Sequence, residues 1–358
     1  MKQKVVVAMS GGVDSSVAAA LLVEKNFDVI GIGLRLADHH NMVSSHRGCC
    51  APRDLVDARS VASILKIPFY VMDVRESFRS SVIDKFVSEY SRGRTPVPCV
   101  DCNQVVKFDY LAKRAFGLEA DFLATGHYAK SINHLGRNTL SRAVDKSKDQ
   151  TYFLFGMTQS QLTRTMFPLS DLTKERTREV AHSYGLPNAD KEESQEICFV
   201  PNDDYRSFLK EEGRDVDIPG EIVDLKGEVI GEHIGFRNYT VGQRKGLDVL
   251  GNEPKYVLQI IPDTHTLVVG NREELYEDCF RVENVHWSVP IKEHSQDLLV
   301  QVRHQQKPSP CSVSKLPNKI VEVKPEDPSS LGAISPGQAA VFYDGDILYG
   351  GGWIANKN

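Results

Sequence analysis

The chain opens on a short apolar run, Val5-Val6-Val7-Ala8-Met9. Its β-branched residues predict a strand buried on both faces. Ser10-Gly11-Gly12 turns the chain, and Ser15 to Glu24 (SSVAAALLVE) is built from strong helix formers. The alternation then repeats. Asp28 to Leu34 reads as a second strand, Pro52 to Lys66 as a helix opened by a proline, and Pro68 to Met72 as a third strand. A helix is predicted from about Glu76 to Tyr90 and a helix-like run over Asn103 to Phe116. A fourth strand, Asp121 to Ala124, ends in Thr125-Gly126-His127-Tyr128. Such alternation predicts an α/β fold with a doubly wound parallel sheet and right-handed crossovers.

Residues 173–183 and 202–210 are the last clear helical stretches. Beyond them come turn signals and short β-rich runs: Glu221 to Asp224, Tyr239 to Val241, Tyr256 to Ile261, Thr266 to Val269, Leu298 to Val302 and Ala339 to Phe342. Runs this short predict small sheets or a barrel. The boundaries fall near 205–215 and near 275, dividing the chain into 1–210, 211–274 and 275–358. At roughly 150 residues per domain, 358 residues accommodate that division.

Composition narrows the class. With 41% hydrophobic and 25% charged residues the chain has the balance of a globular protein, which excludes wholesale disorder or a collagen-like structure. No apolar run approaches the roughly 20 residues of a membrane span. Met1-Lys2-Gln3-Lys4 leads directly into strand-like sequence, without a signal-peptide core. Seven cysteines, an odd number, do not form a secreted disulfide framework. The expectation is a cytoplasmic protein with no membrane association.

The net charge is −5, yet residues 105–178 hold twelve Lys and Arg against seven acids, a local excess of +5. By itself this reads as a solvated face of mixed charge. The turn after the first strand is more specific. Met9-Ser10-Gly11-Gly12-Val13-Asp14-Ser15-Ser16 stands where a doubly wound fold binds its ligand, at a strand's carboxyl end and a helix's start. Backbone N–H groups there face outward and the helix dipole favours an anion. Two glycines admit phosphate oxygens close to the backbone, Ser10, Ser15 and Ser16 add hydroxyls, and Asp14 suits a phosphate-borne Mg²⁺. The pattern is neither a Walker A motif nor a dinucleotide fingerprint.

Ser10-Gly11-Gly12-Val13-Asp14-Ser15 resembles the PP-loop of ATP pyrophosphatases, which cleave ATP between its α- and β-phosphates and adenylate a substrate oxygen. Further segments are similar to those of the MnmA-type tRNA-specific 2-thiouridylases. They are Arg94-Thr95-Pro96-Val97-Pro98-Cys99-Val100-Asp101-Cys102-Asn103, Thr125-Gly126-His127-Tyr128, Lys148-Asp149-Gln150-Thr151-Tyr152-Phe153, Glu196-Ile197-Cys198-Phe199, Tyr239-Thr240-Val241-Gly242-Gln243-Arg244 and Pro336 to Tyr343. They occur in order along the whole chain. The PP-loop alone is shared with several families, whereas the full set is specific.

The resemblance implies a PP-loop (adenine nucleotide alpha hydrolase-like) catalytic domain over 1–210, a central β-rich tRNA-binding domain over 211–274 and a C-terminal β-barrel-like domain over 275–358. It implies ATP held with Mg²⁺ by Ala8, Met9, Ser10, Gly11, Gly12, Val13, Asp14, Ser15, Leu34 and Gly126. It places tRNA against Val97, Pro98, Cys99, Lys148, Asp149, Gln150, Arg303 and His304, the last standing where relatives usually carry a tyrosine. The basic 105–178 stretch then becomes a phosphate-tracking surface. His127 reads equally as a phosphate donor or a packed imidazole.

The cysteines carry the second half of the chemistry. Cys102, just before a helix-like run, has a thiol favoured as thiolate by the helix dipole. Cys198 follows a glutamate-rich approach, Glu192-Glu193-Ser194-Gln195-Glu196, which opposes a thiolate. By resemblance, Cys198 receives sulfur as a persulfide from a sulfur-relay protein fed by a cysteine desulfurase. ATP adenylates O2 of the wobble uridine, sulfur displaces AMP to give 2-thiouridine, and Cys102 is the nucleophilic partner able to close a disulfide with Cys198. Many relatives carry an acidic residue where this chain has Cys99. Cys99, Cys102 and Cys198 therefore also allow an alternative, a [4Fe–4S] cluster bound by three thiolates with one open corner. Zinc lacks a fourth ligand. Cys49 and Cys50 read as part of a loop in a His-, Asn- and Ser-rich segment, and Cys279 and Cys311 as core residues. Two other classes compete: a PP-loop ligase or amidotransferase acting on a small molecule, and a nucleotide-gated RNA-binding protein with inert cysteines. A monomer binding one tRNA is expected.

Overall fold

The computed structural model describes residues 2–36, 52–193, 197–212, 217–249, 253–292 and 294–357. Cys49, Cys50 and the loop expected around them lie outside the described residues. Internal contacts divide the chain into two units. The first comprises 1–83, 98–204 and 346–348, and the second 84–97, 205–345 and 349–358.

The first unit is built on a parallel sheet of β1 (Lys4–Ala8), β2 (Asp28–Arg35), β3 (Phe69–Asp73), β4 (Phe122–Thr125) and, after a hairpin of β5 (Ala129–His134) and β6 (Arg137–Arg142), the short β7 (Thr165–Met166). Its order is β3-β2-β1-β4-β7, with every pairing parallel. β1 is therefore central, and Val5, Val6 and Val7 are wholly buried, as their β-branched run predicts. Helix α1 (Val13–Glu24) lies on it, with α2 (Pro52–Leu65) and α3 (Lys174–Ser183) alongside. Ala18, Ala19 and Ala20 of α1 are buried, small enough to let the helix lie close within one core with Val5, Val7 and Val17. Full burial of a valine such as Val17 contributes about 1.5–3 kcal/mol.

One helix differs from expectation in a way that bears on chemistry. It opens at Pro98 rather than Asn103, runs as Pro98–Asp101, continues π-wound over Cys102–Leu111 and ends as Ala112–Gly117. Proline needs no partner for a missing N–H and its fixed φ suits a first helical position, so Pro98 starts the helix. Cys99 consequently sits in the first turn and Cys102 in the second, where the dipole has largely faded.

In the second unit, β8 (Gly220–Val223), β9 (Val229–His233), β10 (Tyr256–Ile261) and β11 (Thr266–Gly270) form a sheet of order β10-β11-β8-β9. Next come β12 (Phe280–Trp287), β13 (Gln296–Gln301), β14 (Ser309–Leu316), β15 (Ile320–Pro325), β16 (Ala339–Asp344) and β17 (Ile347–Ile354). They run in the order β12-β15-β14-β13-β16-β17, and Val282 and Glu283 of β12 pair back with Ile354 and Trp353 of β17. That pairing closes a barrel and leaves it no open edge. The expected strand at Tyr239 to Val241 is absent. Those residues follow a 3₁₀ turn, Phe236–Asn238, and Tyr239 and Val241 are buried core residues. Their apolar pattern records burial, not ladder pairing. Cys311 of β14 is buried as expected, and burial pushes its thiol up to about 12. Cys279, expected in the core, is exposed.

Candidate active site

At the carboxyl end of β1 the chain turns through Met9–Gly12 into α1. Gly12 is the residue before the helix (φ −82°, ψ 159°), and no side chain caps its first turn. The hydroxyls that sequence reading offered as ligands are turned inward: Ser15 Oγ and Ser16 Oγ both donate to the Gly12 carbonyl (3.1 and 3.0 Å). Ser10 N–H donates to Ser15 Oγ at 3.2 Å. The serines thus stiffen the turn, and the uncapped backbone N–H groups remain as the anion donors.

Two glycines make that shape possible. Gly11 has φ +79°, and a Cβ there would collide with the backbone of Asp54 in α2. At Gly126, beyond β4, a Cβ would stand 2.6 Å from Ser15 N and 2.7 Å from Asp14 C. Only glycine lets the end of β4 close onto the start of α1. Asn188 Nδ2 donates to Gly11 O (3.0 Å) and Ser16 Oγ (2.9 Å), fixing the turn from a third segment. Met9, Val13 and Leu34 are buried, so any contact with a ligand from them is through backbone.

Around this turn runs a chain of alternating charge. Lys174, first residue of α3, donates to both Asp14 oxygens (2.7 and 2.9 Å) and pairs with Glu193 Oε1 at 2.8 Å. Lys148 takes the other Glu193 oxygen at 2.7 Å. Burial pushes Glu193 up, but the ammonium groups of Lys148 and Lys174 outweigh it and hold the carboxyl below its ordinary range. Lys191 donates to Asp54 and Asp57, each at 2.5 Å, and to Gly11 O at 3.3 Å. The buried Tyr128 hydroxyl donates toward Asp14 Oδ1 (3.1 Å) and shares its proton with Thr177 Oγ1 (2.9 Å). Burial, then the Asp14 charge, raises that phenol above its ordinary value, so it stays protonated.

His127 resolves as a packed imidazole. Its Nδ1 lies 2.9 Å from Thr125 Oγ1, and Phe108 and Phe167 flank the ring. Desolvation, with Lys107 assisting, holds its pKa well below the ordinary 6.5.

Cys102 and Cys198 both belong to this unit and are half-buried. Cys198 sits in a turn beside Phe199, whose ring meets Phe78 edge-on at 5.7 Å. Cys99 is exposed, while Val97 and Pro98 before it are buried. No disulfide joins Cys99, Cys102, Cys198, Cys279 or Cys311. Among the described residues, no three His, Cys, Asp or Glu side chains gather as metal ligands. Cys99, Cys102 and Cys198 are thus not gathered as the three ligands of an iron–sulfur cluster. A single carboxylate, Asp14, does fit a Mg²⁺ that arrives on phosphate oxygens, since such ions take only one or two protein carboxylates.

The positions assigned to tRNA are not alike. Lys148 is committed to Glu193. Asp149 is buried, accepts from Ala143 N–H (3.1 Å) and the Thr151 hydroxyl (2.6 Å), and has its pKa raised by burial. Gln150 Oε1 accepts from Tyr128 N–H at 3.0 Å. This segment is held to the fold by its own side chains. Arg303 and His304 are exposed residues of the second unit, and Arg303 Nη2 donates to Ala333 O at 2.9 Å. The local excess of positive charge over 105–178 is partly spent on acids outside that stretch: Glu179, Glu193 and Asp346. Sequence reading missed Asn188, Lys191, Glu193 and the pairing role of Lys174. No motif spacing marks them, because they meet the turn only through the fold.

Three family models match in succession: a tRNA methyl transferase HUP domain over 3–202, a tRNA methyl transferase PRC-barrel domain over 206–271 and an aminomethyltransferase beta-barrel domain over 277–354. The chain is 47% identical over 358 residues to the tRNA-specific 2-thiouridylase MnmA of Geotalea uraniireducens, covering 99% of this chain and 95% of that one. It is 46% identical over 362 residues to the MnmA of Carboxydothermus hydrogenoformans, covering 99% and 98%. A solved 4-thiouridine synthetase–RNA complex with bound ATP aligns over 59% of this chain and 50% of its own, at 17% identity and a TM-score of 0.37, a likeness too distant to bear on the site.

Two outcomes follow from the geometry. Gly126→Ala is expected to cost about 2 kcal/mol or more in a denaturant titration, because the new methyl meets backbone that cannot yield. For His127 the folded pKa lies below the unfolded one, so its contribution to stability is complete above pH 6.5 and is lost as pH falls toward the folded value. Melting temperatures of His127→Gln should therefore fall less than wild type between pH 7 and pH 5.

Proposed function

This chain belongs to the family of tRNA-specific 2-thiouridylases, and we propose that it carries out ATP-dependent 2-thiolation of the wobble uridine of tRNA. The observation that carries the reading is one unit holding both an uncapped glycine–serine turn with Asp14 at its mouth and two half-buried thiols, Cys102 and Cys198.

The chemistry needs both. The C2 carbonyl oxygen of uridine is a poor leaving group until it carries AMP. Backbone N–H groups of residues 11–15, with Gly126 and the backbone of Ala8, Met9, Ser10 and Leu34, hold ATP, and Asp14 meets the Mg²⁺ that accompanies it. Uridine O2 attacks the α-phosphorus and pyrophosphate leaves. The base must be extruded for this, since O2 of a stacked base is not open to in-line attack. Val97, Pro98 and Cys99 stand beside the extruded base, with Arg303 and His304 on the tRNA and Lys148, Asp149 and Gln150 reaching it through their backbone, since their side chains hold the fold.

Cys198 carries a persulfide delivered by a sulfur-relay protein supplied by a cysteine desulfurase. Its terminal sulfur attacks C2, the C2–O bond breaks and AMP departs. The Cys102 thiolate then attacks Cys198 Sγ, which breaks the S–S bond, releases 2-thiouridine and leaves a Cys102–Cys198 disulfide. A thiol of the sulfur donor reduces that bond for the next turnover. Cys102 lies in the second turn of its helix, where the dipole has largely faded. The enzyme works as a cytoplasmic monomer on one tRNA.

The test is nucleoside mass spectrometry on unmodified tRNA incubated with the protein, Mg-ATP and a persulfide donor. Wobble 2-thiouridine is expected, abolished by Cys198→Ser and by Asp14→Ala, with tRNA binding by Asp14→Ala within about threefold of wild type. Full activity of Cys102→Ser and Cys198→Ser together would contradict the sulfur route. AMP formation without any thiolated nucleoside, with an active donor, would move the reading to small-molecule adenylation.

A further inference from the structure

Lys174 is a buried ammonium with an unusual set of partners. Both oxygens of Asp14 and one of Glu193 lie 2.7–2.9 Å from Nζ, and its side chain is 11% exposed. Two carboxylates from distant parts of the chain thus converge on one cationic atom. Asp14 belongs to the first turn of α1, directly after the glycine turn whose free N–H groups receive phosphate. The cation accompanying a triphosphate needs an oxygen ligand at that place, and the ammonium already occupies it.

We propose that Lys174 is a resident cation, a positioning residue that keeps Asp14 aimed at the turn until a phosphate-borne divalent cation displaces it. The inference rests on the nucleotide reading of this turn and adds a property to it. The nucleotide-free protein does not take up free divalent cation, because Lys174 competes for the same oxygens. Cation and nucleotide therefore enter together. On displacement the ammonium keeps Glu193 as its partner, so it is never left buried and unpaired. Glu193 in turn stays held by Lys148 throughout.

The experiment uses Mn²⁺ as the probe, read by the loss of its free EPR signal. Nucleotide-free wild type is expected to leave Mn²⁺ free. Lys174→Met removes the competing charge and leaves Asp14 and Glu193 facing the vacated place. It should bind one Mn²⁺ without nucleotide, at least about tenfold more tightly than wild type, and Lys174→Met/Asp14→Asn should lose that binding. Thermal melts supply a second reading. Lys174→Met should melt lower than wild type and recover in millimolar Mn²⁺, whereas a purely structural lysine would show no such rescue. Tight Mn²⁺ binding by nucleotide-free wild type, or a folded Lys174→Met no better at binding than wild type, would overturn the proposal. Calorimetric titration of wild type with Mg and a non-hydrolysable ATP analogue separates the two claims. Absence of nucleotide binding would remove the nucleotide reading, whereas the nucleotide-free Mn²⁺ measurements judge Lys174 alone.

Discussion

Lys174 presents its ammonium to Asp14 and Glu193, and Lys191 presents its own to Asp54, Asp57 and the Gly11 carbonyl. These two cations tie the start of α3 and the segment 188–193 to the turn between β1 and α1. Carboxylates this close to one another and partly withdrawn from water would repel without them. Removing one member of a buried pair costs about 3–5 kcal/mol, because the other charge is left unanswered. The turn is therefore held by charge from segments more than a hundred residues away, and the parallel sheet is the scaffold that brings those segments to it.

That arrangement leaves the backbone free for binding. The serines spend their hydroxyls on the Gly12 carbonyl, Asn188 spends its amide on Gly11 and Ser16, and no side chain caps α1. The groups left for an anion are the N–H groups at the helix start, pre-aligned and not needing to be reorganised on binding. Gly126 completes the enclosure by contact rather than by chemistry. Cys198 lies in the same unit and follows Glu193, the residue that closes the charge chain, by five positions.

Much of the first unit was legible because its periodicity is plain. A β-branched run, a glycine turn and an alanine-rich helix specify a central parallel strand and its crossover, and four strands lie where pattern placed them. The Leu135-Gly136 turn shows why the β5–β6 hairpin was not read. Both residues take positive φ (51° and 74°), as a two-residue hairpin turn demands, but leucine is not the residue that signals it. Likewise β17 contains Gly350-Gly351-Gly352, which weakens any strand pattern although the strand closes the barrel. The helix start at Pro98 was misplaced by five residues, and with it the dipole's claim on Cys102. In the site, the glycine turn was visible as a motif. Its charged surroundings were not, because Lys174, Asn188, Lys191 and Glu193 acquire meaning only from spatial neighbours.

The central claim is that the uncapped start of α1 is the anion site. Hydrogen exchange of the peptide spanning 10–16, with and without saturating Mg and a non-hydrolysable ATP analogue, tests it most directly. Slowed exchange at those amides, with a smaller effect at Gly126, is the result this account predicts. Bound nucleotide with unchanged exchange at 10–16, and protection elsewhere in the chain, would contradict it.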